Sequence, residues 1–340
     1  MTTPSAAPVT PERIMQFAWG YVPPLVLEAA IRHRVFDVLD SGPKTVSEIH
    51  KETHASERGL TAILHALVGL NFLAKDDRGA FSLTAESAAF LVSTKPGYQG
   101  GVIRHCSEQL IPKFLRLNEI VATGKPVEAV NQEADGSAFF HEFVNDIFPM
   151  SYPAAQTLAR HLDSNARARV LDLAAGSGVW GIALAQSSEQ VRVTAVDWPE
   201  VLSVTRKTVA RFQLTGQFSF IEGDLLQADF GKDHTVATLG HILHSEGRER
   251  SRALLAKTFH ALAPGGTIAI AEFLVAPDRT GPPLSLLFAV NMLVNTDDGD
   301  TYSFAEIGGW LTEAGFIDAR TLDSPGPSPL ILATKPRLDR

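Results

Sequence analysis

The feature that most constrains this chain is a strand, a glycine-containing turn and a helix encoded by residues 169–181. The segment reads RVLDLAAGSGVWG, in which an apolar run at 170–173 precedes the turn. Gly176 and Gly178 allow the backbone to approach a ligand closely, and the helix that follows presents free amide groups at its N-terminus. This order predicts a nucleotide-type ligand at the end of a parallel strand.

Two classes of nucleotide-type ligand are compatible with this unit. Farther on, a second apolar run ends in Asp197, whose carboxylate can accept hydrogen bonds from both hydroxyls of a ribose. The G-x-G-x-x-G spacing of Gly176, Gly178 and Gly181 is the dinucleotide fingerprint, although a glycine triplet alone is a weak signal. Read from Asp172, the same segment resembles the acidic-x-Gly-x-Gly-x-Gly loop of class I S-adenosylmethionine (SAM) methyltransferases.

Composition limits the class of protein. At 340 residues with 45% hydrophobic content, the chain can bury a large core and is expected to form two domains. The net charge of −8 argues against a nucleic-acid partner. The single cysteine, Cys106, cannot form an internal disulfide, and neither a signal peptide nor an apolar run of about 20 residues is evident. These features predict a cytoplasmic protein with no membrane partner.

The N-terminal part predicts a helical domain with a winged-helix outline. A short helix at 46–53 and a second helix capped by Ser56 precede a hairpin at 72–83. The would-be recognition helix carries Arg58 but also Glu57, which leaves too few cations to neutralise phosphates. We therefore expect an interaction or dimerisation role for this domain, with a homodimer formed through it. The predicted division is a disordered tail at 1–11, a winged-helix-like dimerisation domain at 12–97, a helical linker and substrate-pocket segment at 98–165 and a catalytic domain at 166–340.

From residue 169 onward, apolar runs alternate with helical segments. This alternation predicts an α/β fold with a Rossmann-like, mostly parallel sheet covered by helices on both faces. Seven strands are expected, at 169–173, 191–197, 217–222, 235–240, 267–275, 317–323 and 329–334. In such sheets the ligand lies across the carboxyl ends of the strands. The residues that follow the strands are therefore the candidates for a site.

Two later stretches, LGHILH at 239–244 and ALAPGGTIAIAE at 261–272, resemble the core of the plant-type O-methyltransferase family, which includes caffeic acid and hydroxyindole O-methyltransferases and bacterial tailoring enzymes of polyketide pathways. The resemblance covers nearly the whole chain, because an N-terminal dimerisation domain belongs to the family's architecture. The motifs that carry it are the glycine turn, Gly223-Asp224, Leu243-His244, Pro264-Gly265-Gly266 and Ala314-Gly315-Phe316. The resemblance implies SAM as the cofactor, S-adenosylhomocysteine (SAH) as its product and a small-molecule acceptor.

The resemblance also implies roles for individual residues. His244 falls on the family's catalytic base and Glu272 on an acid that flanks it, while Asp197 falls on the ribose-binding acid. We therefore expect His244 to take the acceptor's proton and Glu272 to orient its ring, with His241 as the alternative base. The candidate cofactor-binding residues are Asp172, Ala174, Gly176, Gly178, Asp197, Trp198, Asp224, Leu225 and His241. The candidate substrate-binding residues are Phe143, Met150, Phe288, Met292 and Thr296, and no metal site is predicted.

The chain departs from the family pattern at several of these positions. Ala174 and Ala175 replace two glycines of the turn, which is tolerable if neither needs a positive φ. After His244 the chain reads Ser-Glu-Gly in place of Asp-Trp, Gly240 replaces a lysine, and Thr301 replaces the second flanking acid.

Three functions therefore remain open. The first is SAM-dependent methyl transfer to a phenolic or enolic hydroxyl of a small hydrophobic molecule. The second is a SAM-fold protein that methylates carbon or nitrogen, or that has lost methyl transfer. The third is an NAD(P)-dependent oxidoreductase, which the literal glycine triplet permits.

Overall fold

The computed structural model describes residues 9–131, 133–144, 146–162, 167–326 and 328–337. The chain separates into two compact units, residues 1–108 and 109–340. Most of the predicted N-terminal tail lies outside the described residues, so its disorder stays a prediction. The finer division of the chain, including a boundary near residue 97, stays a prediction as well.

The N-terminal unit is helical with one small hairpin. Its elements are α1 Glu12–Ala18, α2 Val22–Arg32, α3 Val35–Leu39, α4 Val46–Thr53, α5 Glu57–Gly69, β1 Leu73–Lys75, β2 Phe81–Leu83, α6 Ala85–Phe90 and α7 Gly100–His105. Thr45 and Glu48 form a capping box at the start of α4, and Ser56 accepts a hydrogen bond from the Gly59 N–H at the start of α5. The predicted order of helix, helix and hairpin is therefore confirmed.

The core of this unit leaves out its first helix. Fully buried side chains from α3, α4, α5 and β2, such as Phe36, Ile49, Leu64 and Phe81, pack together. Helix α1 contributes no buried residue. Its apolar side chains are therefore available to a surface outside this unit.

Helices α1 and α2 also change one expectation drawn from composition. Together they span Glu12–Arg32, 21 residues with a mean hydropathy of 1.2, which is long and apolar enough to cross a membrane by length and composition alone. The expectation that no apolar stretch approaches spanning length is therefore wrong. Buried core helices of soluble proteins and N-terminal signal sequences pass the same test, and the chain turns at residues 19–21 between the two helices.

The C-terminal unit contains a sheet with helices before it and between its strands. The helices are α8 Ile111–Phe114, α9 Leu117–Thr123, α10 Glu133–Phe143, α11 Phe148–His161, α12 Val179–Ala185, α13 Pro199–Arg211, α14 Leu243–Ala261, α15 Pro283–Asn295 and α16 Phe304–Glu313. The strands are β3 Arg169–Leu173, β4 Arg192–Asp197, β5 Phe218–Glu222, β6 His234–Gly240, β7 Leu262–Ala271, β8 Ile317–Leu322 and β9 Leu330–Thr334. A π-helical turn at Cys106–Leu110 precedes α8.

The sheet has seven strands in the order β5-β4-β3-β6-β7-β9-β8, and only β9 runs antiparallel to its neighbours. The predicted mostly parallel, seven-stranded sheet is therefore confirmed. Its two faces are covered by different cores, because successive residues of a strand point to opposite sides. Val170 packs with Ile182 and Leu158 on one face, whereas Leu171 packs with Leu254 on the other.

Strand β3 is an inner strand of the sheet, with β4 on one side and β6 on the other. The strand order reverses at this point, and ligands of open parallel sheets bind in the crevice that such a reversal creates. The residues after β3, β4, β6 and β7 therefore lie along one edge. Strand β7 ends at Ala271, earlier than predicted, so Glu272 is the first residue beyond it.

Candidate active site

Hydrogen bonds to the Asp172 side chain stabilise the turn after β3. Its side chain is fully buried, one carboxylate oxygen accepts a hydrogen bond from the Gly181 N–H at 3.0 Å, and the other accepts one from the Thr238 hydroxyl at 2.7 Å. Burial raises the pKa of Asp172 to about 7. The geometry gives Asp172 a role in shaping the turn, and its predicted contact with a cofactor stays a prediction.

Gly176 and Gly178 have positive φ values of 56° and 79°. A Cβ atom at Gly178 would lie 2.9 Å from Cγ2 of Thr205 on α13, so both conformation and space require glycine there. The Thr205 hydroxyl donates a hydrogen bond to the Gly176 carbonyl oxygen at 2.6 Å, which ties the turn to that helix. The two glycines thus shape a tight turn, and close approach of a ligand to it stays a prediction.

Ala174 differs from the expectation. Its φ is 51°, in the left-handed region, whereas Ala175 is not among the described residues with positive φ. Alanine in place of glycine was expected to be tolerable only if neither alanine needs a positive φ, and Ala174 does not meet this condition. A non-glycine residue in this region costs about 1–2 kcal/mol.

Restoring glycine at this position should stabilise the protein. Ala174→Gly removes the steric strain but adds freedom to the unfolded chain, so we expect the free energy of unfolding to rise by up to about 1 kcal/mol. Ala175→Gly is the matched control, because it has no such strain to relieve and should lower stability by roughly 0.5–1 kcal/mol. Urea unfolding of both variants tests this, and equal destabilisation by the two would contradict it.

Asp197 links the end of β4 to the same turn. Its carboxylate accepts hydrogen bonds from the Gly176 N–H at 2.9 Å and the Trp198 N–H at 2.8 Å. Burial raises the pKa of Asp197 to about 6. Trp198 packs against Phe140 of α10, with 6.0 Å between the ring centroids. Asp197 and Trp198 therefore lie beside the glycine turn, as the sequence predicts.

Two further cofactor candidates follow β5. Leu225 is buried, with 7% of its surface exposed. One oxygen of the Asp224 carboxylate accepts a hydrogen bond from the Leu226 N–H at 2.9 Å, and the other accepts one from Arg250 at 2.7 Å. The sequence interpretation missed Arg250, because nothing in the spacing along the chain connects it with Asp224.

His244 and Glu272 form a buried pair. His244 lies in the first turn of α14 after β6, Glu272 follows β7, and these two strands are neighbours. Nδ1 of His244 is 2.7 Å from Oε2 of Glu272, and the His244 N–H donates to Oε1 at 3.2 Å. Burial by itself would raise the pKa of the Glu272 carboxyl, but the adjacent His244 lowers it overall. Because Glu272 holds Nδ1, Nε2 of His244 is left to meet an acceptor.

Aromatic side chains surround this pair. Phe288 of α15 packs edge-on against the His244 ring with 4.9 Å between centroids, and Phe273 stacks on Phe288 at 4.1 Å. The structure therefore brings the predicted substrate residue Phe288 to the predicted base. Phe273, which the sequence placed with Glu272 at the end of a strand without giving it a role, packs against both rings.

The other four substrate candidates lie on α10, on α11 and at the C-terminal end of α15. Met292 is buried on α15. The Thr296 hydroxyl donates to the Met292 carbonyl oxygen at 2.7 Å and accepts from the Gly299 N–H at 2.9 Å, so its hydrogen bonds terminate α15. Phe143 packs among the aromatic residues of α10, and Met150 lies on α11. Substrate contacts by all four residues stay predictions.

The structure explains two departures from the family pattern. A Cβ atom at Gly240 would lie 1.8 Å from Nε1 of Trp180, so that indole leaves no room for the lysine of the family. Thr301 is buried and its hydroxyl donates to the Ser285 carbonyl oxygen. The neighbouring Asp300 pairs with Arg279 at 3.2 Å. Within the described residues, Glu272 is therefore the acid that His244 contacts.

His241 was the alternative base, and its surroundings argue against that role. It has a positive φ of 61°, and burial lowers its pKa to about 4. A base with such a pKa accepts protons poorly at neutral pH. Its Nδ1 atom is buried without a hydrogen-bond partner among the described residues. These features support His244 over His241, and the assignment of the base stays a prediction.

His241, His244 and Glu272 also form a group of possible metal ligands, with donor atoms within 4.8 Å of one another. The sequence predicted no metal site, and this juxtaposition arises only in the fold. The prediction of metal-independent chemistry thus needs a direct check, namely that treatment with EDTA leaves the rate of methyl transfer unchanged.

Comparison with known proteins identifies the family. Residues 120–317 match the model of the O-methyltransferase domain, and residues 15–93 match that of the O-methyltransferase dimerisation domain. The chain belongs to the O-methyltransferase family. Accordingly, this enzyme is a SAM-dependent O-methyltransferase and its N-terminal unit contains a dimerisation domain, whereas the oxidoreductase alternative gains no support.

Individual relatives match over almost the whole chain. The enzyme is 29% identical to the tetracenomycin polyketide synthesis 8-O-methyltransferase of Streptomyces glaucescens, covering 96% of this chain and 97% of the relative. It is 30% identical to the 3-hydroxy-5-methyl-1-naphthoate 3-O-methyltransferase of Streptomyces sahachiroi, covering 96% and 95%. Among solved structures, an O-methyltransferase family protein of Burkholderia thailandensis is 25% identical with a TM-score of 0.82, covering 98% of this chain and all of the other.

Proposed function

We propose that this enzyme methylates a phenolic or enolic hydroxyl of a flat, largely apolar aromatic molecule, with His244 as the general base. The observation that carries the proposal is the buried His244–Glu272 pair, 2.7 Å apart, under the rings of Phe273 and Phe288. Aromatic walls suit a flat acceptor, and a histidine held at Nδ1 suits removal of a proton at Nε2.

The reaction follows from this arrangement. The acceptor's O–H proton passes to Nε2 of His244 while its oxygen attacks the methyl carbon of SAM and the carbon–sulfur bond breaks, giving SAH. A phenol with a pKa near ~10 is mostly protonated at neutral pH, so a positioned base accelerates the step. Glu272 stabilises the imidazolium that forms, and alignment of oxygen and methyl group contributes several further kcal/mol.

The cofactor is proposed to lie along the carboxyl edge of the sheet. Gly176 and Gly178 let it approach the turn, Asp197 accepts hydrogen bonds from the ribose, and Asp224 holds the adenine edge beside Trp198 and Leu225. What supports this placement is that all of these residues lie at or just beyond the carboxyl ends of β3, β4 and β5.

The class of acceptor is suggested by the two Streptomyces relatives. One is named for a polyketide and the other for a hydroxynaphthoate, so both names fit a hydroxylated aromatic molecule. The test is SAH formation with a hydroxynaphthoate and with its methoxy counterpart as the matched control. We expect turnover only with the free hydroxyl. Turnover with amines but not with phenols across a panel would overturn the proposal in favour of nitrogen as the acceptor atom.

We further propose that the N-terminal unit is a winged-helix-like module that pairs two copies of the chain. Phe17, Trp19 and Tyr21 are 74%, 64% and 61% exposed, and the dimerisation match begins at residue 15. Burying aromatic side chains of this size is a common source of interface stability. The low density of cations on α5 and the single free cysteine support a cytoplasmic enzyme that does not bind nucleic acid.

Trp19→Glu should therefore convert a dimer into a monomer. A charge placed in an apolar interface leaves an unpaired carboxylate there, whereas the fold of the unit should survive because Trp19 is 64% exposed. Light scattering after size-exclusion chromatography measures the mass, and circular dichroism checks the helix content. Ile317→Glu, at an exposed apolar position on β8, is the control that should remain a dimer. A Trp19 variant of unchanged mass would count against this interface.

A further inference from the structure

Arg250 of α14 lies between two carboxylates at the cofactor edge. Its Nη2 donates to Oδ2 of Asp224 at 2.7 Å, and its Nε donates to Oε2 of Glu246 at 2.6 Å. The Glu246 side chain is only 7% exposed, and that of Asp224 is 25% exposed. The guanidinium therefore connects a buried acid on its own helix with the acid that follows β5.

We propose that Arg250, anchored by Glu246, is a positioning residue that orients the Asp224 carboxylate toward the 6-amino group of the adenine. This inference rests on the proposed function, because it takes Asp224 as the residue that holds the adenine edge. It adds two residues, on a different element, to the determinants of cofactor recognition.

Contacts on both oxygens fix the direction of the Asp224 carboxylate. The Leu226 N–H holds Oδ1 at 2.9 Å, and Arg250 holds Oδ2. Each carboxylate oxygen can accept more than one hydrogen bond, so the fixed carboxylate still has acceptor capacity for an amino group. A carboxylate held at both oxygens cannot rotate away when the cofactor arrives, and the entropy of ordering it is already lost before binding.

Glu246 is one of the residues that departs from the family pattern, standing where the resemblance places a tryptophan. Burial raises the pKa of the Glu246 carboxyl, and Arg250 opposes that rise. Glu246 and Arg250 therefore stabilise each other. The cation offsets the cost of burying the Glu246 carboxylate, and that carboxylate fixes the direction of the guanidinium. Without Arg250, Glu246 and Asp224 would be two nearby carboxylates with no cation between them.

Only arginine fits this geometry. Its planar fork presents separate donors in fixed directions, so one side chain reaches both acids at once. Lysine carries a single ammonium group and cannot keep both hydrogen bonds with the same directionality. The position should therefore respond to Arg250→Lys nearly as it does to removal of the charge.

The experiment measures binding of SAH and of S-inosylhomocysteine, in which a 6-oxo group replaces the 6-amino group, by isothermal titration. We expect the wild-type protein to prefer SAH by about 10-fold or more, because the Asp224 carboxylate has no amino group to accept from in the analogue. Arg250→Leu and Arg250→Lys should weaken SAH binding by roughly 10-fold and bring the preference close to unity.

Arg252→Leu is the matched control. Arg252 also lies on α14 and pairs with two acids, Glu313 at 2.9 Å and Glu249 at 3.4 Å, but the pairs are exposed and away from Asp224. We expect this variant to keep both the wild-type affinity and the preference. A general loss of helix stability would affect both arginine positions, whereas loss of adenine positioning would affect Arg250 alone.

The outcomes are separable. If folded Arg250 variants keep the wild-type preference for SAH over the 6-oxo analogue, the positioning role is overturned. If Arg250→Leu fails to fold, Arg250→Lys retains the charge and provides the same comparison. If the wild-type protein itself fails to bind SAH, the proposed function fails and not merely the role of Arg250.

Discussion

Replacing His244 with alanine should lower kcat for methyl transfer by roughly 10²- to 10⁴-fold, the usual contribution of a positioned general base. Binding of SAH should change little, because His244 is proposed to face the acceptor and not the cofactor. A loss confined to kcat is what removal of an interaction specific to the transition state produces.

A second prediction concerns the contact between Glu272 and His244. Glu272→Gln keeps the side-chain shape but removes the negative charge 2.7 Å from Nδ1 of His244, so it should lower kcat by a smaller factor than His244→Ala. Combining the two substitutions should cost little more than His244→Ala alone, because residues that act as a unit are not additive.

His241→Ala is the control for the identity of the base. Its ring lies 6.3 Å from that of His244 and its pKa is lowered to about 4 by burial, so we expect only a modest effect on kcat. A wild-type rate for His244→Ala together with a large loss for His241→Ala would assign the base to His241 instead.

Replacing Asp197 with asparagine should weaken SAM binding by about 10- to 100-fold. The carboxylate is proposed to accept hydrogen bonds from both ribose hydroxyls, and hydrogen bonds to a charged group contribute about 1.5–3 kcal/mol each. The amide retains one acceptor oxygen, so binding is weakened and not abolished. Isothermal titration with SAH gives the dissociation constant directly.

The same residue should make cofactor binding depend on pH. Burial raises the pKa of Asp197 to about 6 in the unliganded protein, and the ionised form is the better acceptor for the ribose. The affinity for the cofactor should therefore be greatest well above pH 6 and should fall as the pH drops through that value. The sign follows because protons compete with the ribose for the carboxylate.

Asp197→Asn should remove most of this pH dependence as well as lowering affinity. Asp172, whose pKa burial raises to about 7, accounts for any dependence that remains, since its carboxylate holds the turn and not the ribose. An affinity for SAH that stays constant from pH 5 to 8 in the wild-type protein would rule out a titrating Asp197 in the cofactor site.

Much of the fold was open to prediction because the signals are local. The alternation of apolar runs and helices from residue 169 gave seven strands near their observed positions, and the predicted cap at Ser56 marked a real helix start. These signals depend on the period of burial along a strand or helix and on the first-turn amides of a helix. Neither requires knowledge of distant contacts.

Predictions that depended on conformation or on distant neighbours were less successful. The sequence does not show that Ala174 adopts a positive φ, or that Trp180 fills the space beside Gly240. Nor does it show that the buried carboxylate of Asp172 accepts hydrogen bonds from the Gly181 N–H and the Thr238 hydroxyl. In each case the deciding contact comes from packing between elements.

The sequence by itself determined the α/β architecture, the glycine turn and the acid that follows β4, because each depends on residue type and spacing within one strand–turn–helix unit. Only the tertiary structure decided that Glu272 meets His244, that Phe273 and Phe288 enclose them, and that Arg250 reaches Asp224. These contacts join residues far apart in the chain, and sheet order and helix packing fix them at separations that no local pattern encodes.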